Sequence, residues 1–196
     1  AIIDQELWNM VQQKLDGRAP ARRSPTNSTH TNLLTGLVFD ETGDRLSPTH
    51  TKKKGRRYRY YISSRLVNEP GAMNGWRVPA DQIESAILDG LCEFLSDHSR
   101  VTEGAGLKPN QIQLAAQSAA HLVKGIRKSP ARMTNEIRDL VDKITIAPGK
   151  LRIDISGAGL MNLVGTVERK TGHTVSLDLP ISIRRRGVES KIILLG

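Results

Sequence analysis

A single cysteine, Cys92, in 196 residues excludes an internal disulfide and any zinc site built on cysteines. Aromatic residues make up only 4% of the chain, so Leu, Ile and Val must supply most of a core, and the tyrosines gathered at 58, 60 and 61 stand out. No apolar run approaches the ~20 residues that span a bilayer as a helix. The opening AIIDQELWNM lacks the basic, apolar and small-residue order of a signal peptide. A soluble, cytoplasmic protein with no membrane partner is therefore expected. Enzyme motifs are missing as well: there is no GxSxG, P-loop, HExxH or CxxC. The histidines at 30, 50, 98, 121 and 173 are too scattered for a local ligand set, and Asp40, Glu41 and Asp44 cluster at a predicted tight turn, where Asp is favoured for geometry alone. No catalytic residue, metal ligand or cofactor is expected.

Acidic residues are absent from one stretch in particular. RLSPTHTKKKGRRYRYYISSR, residues 45–65, carries eight Lys/Arg, three tyrosines and no Asp or Glu. The chain has 29 basic and 20 acidic residues, for a net charge of +9. Without those eight, 21 basic residues remain against 20 acidic ones, so the excess is local. Cations gathered on one patch can neutralise several phosphates at once and release their counterions, which points to nucleic acid. The alternative is a solvated hairpin that aids solubility and protects a sheet edge.

Hydrophobic periodicity divides the chain into unlike segments. Asp4 can cap a short amphipathic helix ending at Gly17, followed by the Pro- and hydroxyl-rich linker RAPARRSPTNSTHTN with its Arg18/Arg22/Arg23 cluster. LLTGLVFD, DRLSPTH and RRYRYYIS are three β-prone runs, expected to form a small antiparallel meander. Alternation in the last places Arg57, Arg59 and Tyr61 on one face and Tyr58, Tyr60 and Ile62 on the other; the second is expected to pack. A helix is predicted from Pro79, with Ile83, Ile87, Gly90, Leu91, Phe94 and Leu95 on its core face and Cys92 away from it. Two further helices, within 110–128 and 129–144, are expected to pair antiparallel through Ile112, Ala116, Ala119, Val123 and Ile126 against Met133, Ile137, Leu140, Val141 and Ile144. Their apolar positions suffice for packing within the domain; the alternative is an arm that reaches another subunit. LRIDIS, HTVSLDLPISIRR and SKIILLG predict a terminal antiparallel sheet.

IIDQELWNMVQQKL at 2–15, the basic linker, LLTGL at 33–37, RYRYYIS at 57–63 and VPADQIESAI at 78–87, in this order and spacing, resemble the C-terminal half of large serine site-specific recombinases of the resolvase/invertase/integrase type. The resemblance covers residues 1 to about 95; beyond them only the layout of helices followed by strands is similar. It implies a recombinase-domain end at 1–17, a linker at 18–32, a β-ribbon DNA-binding domain with its following helix at 33–98, a helical hairpin at 99–149 and a β segment at 150–196. Zinc-bearing members place a Cys-x-x-Cys pair where this chain has Asp40, Glu41, Thr42 and Gly43, and a further cysteine where it has Ser63, so the ribbon looks like a zinc-free version. Its turn is then expected to be held by Asx-type hydrogen bonds. The family's catalytic serine domain would lie before these residues in a longer parent.

The expected fold class is therefore α+β, and the expected function is double-stranded DNA binding that selects a recombination site, with strand exchange left to that other domain and self-association to the parent. Lys52, Lys53, Lys54 and Arg56 are expected at phosphates. Arg57, Arg59 and Tyr61 are expected near a groove, with Arg65, Arg22 and Arg23 adding backbone contacts. The alternative function is a protein-interaction or oligomerisation module in which the basic run only solubilises.

Overall fold

Strand β1 (Val38–Asp40) departs from the expected meander: it runs parallel to β5 (Val141–Ala147), with Val38 opposite Ile144. Its strand-type pairing across the Asp40–Asp44 turn is limited to the isolated bridge Phe39–Arg45. The meander consists instead of β2 (Leu46–Lys53), β3 (Arg56–Ser63) and β4 (Arg77–Pro79). This computed structural model describes residues 32–69, 74–163, 174–186 and 189–194, with side chains up to 182. The helix expected at 1–17 and the linker before residue 32, with Arg22 and Arg23, lie outside the described residues.

A short helix α1 (Ser64–Asn68) follows β3. Helix α2 (Ala80–Ser96) starts where Pro79, the last residue of β4, serves as its N-cap. All six positions expected on its core face are buried, and so is Cys92. Cys92 is covered because α2 is enclosed on more than one side: it packs on β3 and β4, on β7 (Thr174–Arg186), and on α4 (Ile112–Lys128). Gly90 permits the approach to β7, since a Cβ there would come within 2.6 Å of Leu179 Cδ1. Between these helices, Asp97 caps α3 (His98–Ala105) by accepting from the amides of Ser99 and Arg100.

The helices expected within 110–144 are present, but the second is short: the first packs on α2 and on the turn Pro130–Met133. Helix α4 buries Ala115, Ala119, Leu122 and Ile126: Ala119 and Ile126 are as expected, Ala115 and Leu122 take the places of Ala116 and Val123, and Val123 packs partly buried against the core. The second predicted helix stops early: α5 (Thr134–Leu140) gives way to β5, in which a register shift between Val141 and Lys143 lets Val141 and Ile144, three residues apart, both point inward. That bulge reproduces helical spacing within a strand, so the apolar pattern of a helix continues where the helix itself has ended.

The terminal sheet forms as expected. β5, β6 (Lys150–Ser156), β7 and β8 (Glu189–Leu194) are successively antiparallel, and β1 completes the order β1-β5-β6-β7-β8. The last described helix, α6 (Gly157–Asn162), follows β6. The fold class is α+β, with six α-helices among the described residues. One cluster of buried side chains runs from Leu33 through α2 to Ile181, and Asn32–Gly196 is one unit, so the divisions expected at 98/99 and 149/150 fall within it.

Candidate nucleic-acid interface

The β2–β3 ribbon turns at Lys54 and Gly55, whose φ values are +49° and +75°. Two consecutive positive φ angles define the two-residue turn whose twist matches that of paired strands, and glycine at its second position meets the conformational demand. The turn fixes the register: Lys53 opposes Arg56, Lys52 opposes Arg57, Thr51 opposes Tyr58 and His50 opposes Arg59. Directly opposed residues share a face. One face of the tip therefore carries Lys53, Arg56 and Tyr58, and the other carries Lys52, Arg57 and His50.

Every residue from His50 to Tyr58 is exposed. Lys52, Lys53, Lys54, Arg56 and Arg57 have no carboxylate within ion-pair distance among the described residues. Arg57 Nη2 lies 3.3 Å from His50 Nδ1, a contact that orients the guanidinium without neutralising it. At about 3.3 Å per residue, the exposed part extends roughly 13 Å along β2 (His50–Lys53) and roughly 10 Å along β3 (Arg56–Tyr58).

Below the tip the same strand becomes structural. Arg59 is only 17% exposed, with Nη2 2.5 Å from Asp81 Oδ1 and 2.9 Å from Glu84 Oε2 on α2. Burial opposes its charge, but those two carboxylates outweigh it and raise its pKa. Tyr61 is fully buried. Its hydroxyl donates to Glu84 Oε1 at 2.8 Å and accepts from the Leu34 amide at 3.0 Å. Burial first, then the neighbouring Glu84 carboxylate, push the phenol far above its ordinary pKa.

Tyr60 is buried too, with the Arg77 guanidinium 4.5 Å from its ring centroid. The expected parity of the strand is correct, but both faces are covered at this end. The more exposed ring is Tyr58, at 43%.

A second polar cluster closes the base of the ribbon at the positions that the resemblance compares with zinc ligands. Asp40 is 1% exposed. Its Oδ1 accepts from the Thr42 amide at 3.0 Å, Thr42 Oγ1 at 2.6 Å and the Asp44 amide at 3.0 Å, the Asx-type turn expected there. Its Oδ2 accepts from Ser63 Oγ at 3.1 Å and pairs with Arg65 Nη2. Ser63 Oγ in turn accepts from the Trp76 amide at 2.9 Å, and Trp76 Nε1 donates to Glu41 Oε2 at 2.6 Å. Burial would raise the Asp40 pKa, but the hydrogen bonds from Thr42, Asp44 and Ser63 together lower it. No group of three or more His, Cys, Asp or Glu able to hold a metal ion occurs among the described residues.

Of the expected DNA contacts, the structure thus brings Lys52, Lys53, Lys54, Arg56 and Arg57 together at one tip. It assigns three others elsewhere: Tyr61 to the core, Arg59 to α2 and Arg65 to Asp40. The surface contribution of Tyr58 and His50 was missed, although counting outward from Lys54-Gly55 as a two-residue turn pairs them with Thr51 and Arg59. Among the described residues no helix is long and apolar enough to cross a membrane. The chain matches no family model, no curated protein and no solved structure.

Proposed function

We propose that this protein binds double-stranded DNA through the β2–β3 tip. The observation that carries the reading is the placement of five exposed cations, without carboxylate partners among the described residues, on both faces of a narrow ribbon. The major groove, about 12 Å wide, admits a two-stranded ribbon, and its walls are two phosphate backbones. Lys53 and Arg56 would face one wall, Lys52 and Arg57 the other, with Lys54 at the turn. Arg57 has the fork geometry for a guanine edge or a phosphate, whereas the lysines act as point charges. Tyr58 supplies a ring beside Arg56.

The residue resemblance at 2–15, 33–37, 57–63 and 78–87 supports a narrower reading: the site-selecting C-terminal region of a serine site-specific recombinase, whose strand cleavage and exchange belong to another domain. The Asp40–Ser63–Arg65 cluster fits a ribbon that closes its turn without metal. In this reading the protein acts in the cytoplasm on a mobile element's DNA, as part of a self-associating parent.

The test is a binding isotherm of the chain on duplex DNA at several salt concentrations. Up to five neutralised phosphates give a log–log slope of about −4 to −5. Absence of binding at low salt, or a slope near zero, overturns the DNA reading.

A further inference from the structure

We propose that a groove between the C-terminal end of α2 and the C-terminal half of α4 docks an acidic, amphipathic helical segment of a protein partner. Leu95, Ala120 and Val123 form its apolar part, and Lys124, Arg127 and Lys128 line it as well; its volume is about 620 Å³. Leu95 is buried and Val123 partly so, while all three cations are exposed. None of the three has a carboxylate within ion-pair distance among the described residues.

Local sequence reinforces the sign of the charge. From 104 to 135 the chain carries five Lys/Arg and no Asp or Glu, a second acid-free stretch distinct from the hairpin. Cations in the last turn of α4 offset the helix dipole, which accounts for Arg127 and Lys128. It does not account for Lys124, a turn earlier, or for an apolar floor beside all three.

The pairing of floor and rim decides the occupant. A phosphate backbone would meet the cations but has no apolar surface to cover the exposed Ala120 and the partly exposed Val123. A helix with apolar residues at i and i+4 flanked by carboxylates meets both needs, through helix-in-groove packing with charge complementarity at the rim. None of the groove's residues belongs to the β2–β3 tip, so the proposal stands or falls separately from DNA binding.

The test selects a displayed library of random peptides of about 16 residues, four to five helical turns, on the full chain, with counter-selection on Ala120→Trp, which fills the groove. The expected outcome is enrichment of net-negative peptides with apolar residues at i and i+3 or i+4. Their affinity should fall at least about tenfold on Lys124→Glu/Lys128→Glu, by loss of rim complementarity. Both variants change exposed positions, and matched circular-dichroism melts check their folding; either alone suffices if the other unfolds. Enriched peptides that are neutral or basic, or that bind both variants unchanged, overturn the proposal. So does a charge reversal that weakens duplex DNA while sparing the peptides, because the groove would then belong to nucleic acid.

Discussion

Arg59 Nη2 lies 2.9 Å from Glu84 Oε2, and this contact divides the most basic strand of the protein into a free tip and an anchored base. Glu84 is itself buried and also accepts from Tyr61 Oη at 2.8 Å and from the Leu33 amide at 3.2 Å. Removing Arg59 leaves that carboxylate with two donors but without its cation. Arg59→Ala should therefore destabilise the fold by about 2–3 kcal/mol, below the cost of stripping a wholly buried pair. Once the variant is refolded at low temperature, its salt slope on DNA should stay within experimental scatter of the parent's. Arg57→Ala should behave in the opposite way, with an unchanged melt and a slope shallower by about one. Thermal melts and salt titrations of the two variants check this, and equal losses of DNA affinity from both would place Arg59 at the interface after all.

The turn allows geometry and charge to be separated. Lys54 holds φ at +49°, a conformation that asparagine tolerates better than lysine. Lys54→Asn should preserve or slightly raise the melting temperature while making the salt slope shallower by about one unit. A Cβ on Gly55 would meet nothing within 4 Å, yet its φ is +75°, so Gly55→Val carries backbone strain alone. The expected loss is about 1–2 kcal/mol, with weaker DNA binding because the opposed cations lose their register. If Gly55→Val binds DNA as the parent does, the ordered turn has no part in recognition.

How far the sequence disclosed these features depends on whether the deciding contacts were local. The patch was legible because charge composition is local, and so was the core face of α2, whose spacing from Ile83 to Leu95 spans three turns. The Asx turn at Asp40 followed from residue type. By contrast, the fates of Tyr61, Arg59 and Arg65 were settled by Glu84, Asp81 and Asp40, which lie more than 20 positions away in the chain. Alternation can sort residues into two faces, but it cannot say which face a distant helix will cover. β1 posed the same problem, because VFD pairs with Ile144–Ile146 across about a hundred residues.

Acid should loosen the base of the ribbon. The folded-state pKa of Asp40 is lowered, so its stabilising share is fully present above the unfolded value of about 3.9 and is lost as the pH falls through the folded value. Asp178, held near 2 chiefly by its hydrogen bond to Arg152, adds a weaker effect of the same sign; the pair is half-exposed and screened by salt. The melting temperature should therefore decline below about pH 4. Asp40→Asn should lower it at neutral pH, by about 2–4 kcal/mol of stability, because Arg65 loses its buried partner. Chelator should leave the parent's melt unchanged. A melt that collapses on chelation would mean that a metal contributes to folding this ribbon.

The segment 110–144 supplies the sharpest test of packing, since its two ends should respond oppositely to the same chemistry. Ile137 is fully buried, whereas Ile112 is 37% exposed. Ile137→Asp removes a core side chain and buries an unpaired carboxylate among α6, β5 and β6, against which α5 packs. The expected cost is about 3–5 kcal/mol, enough to unfold a domain of ordinary stability. Ile112→Asp places the same charge on a surface that water already reaches, so its effect should stay within about 0.5 kcal/mol. An intersubunit arm would predict something else: two folded variants with similar melts and a shared loss of self-association in sedimentation. Parallel melts and sedimentation of the two variants distinguish these outcomes, and survival of the Ile137→Asp fold would remove α5 from the core.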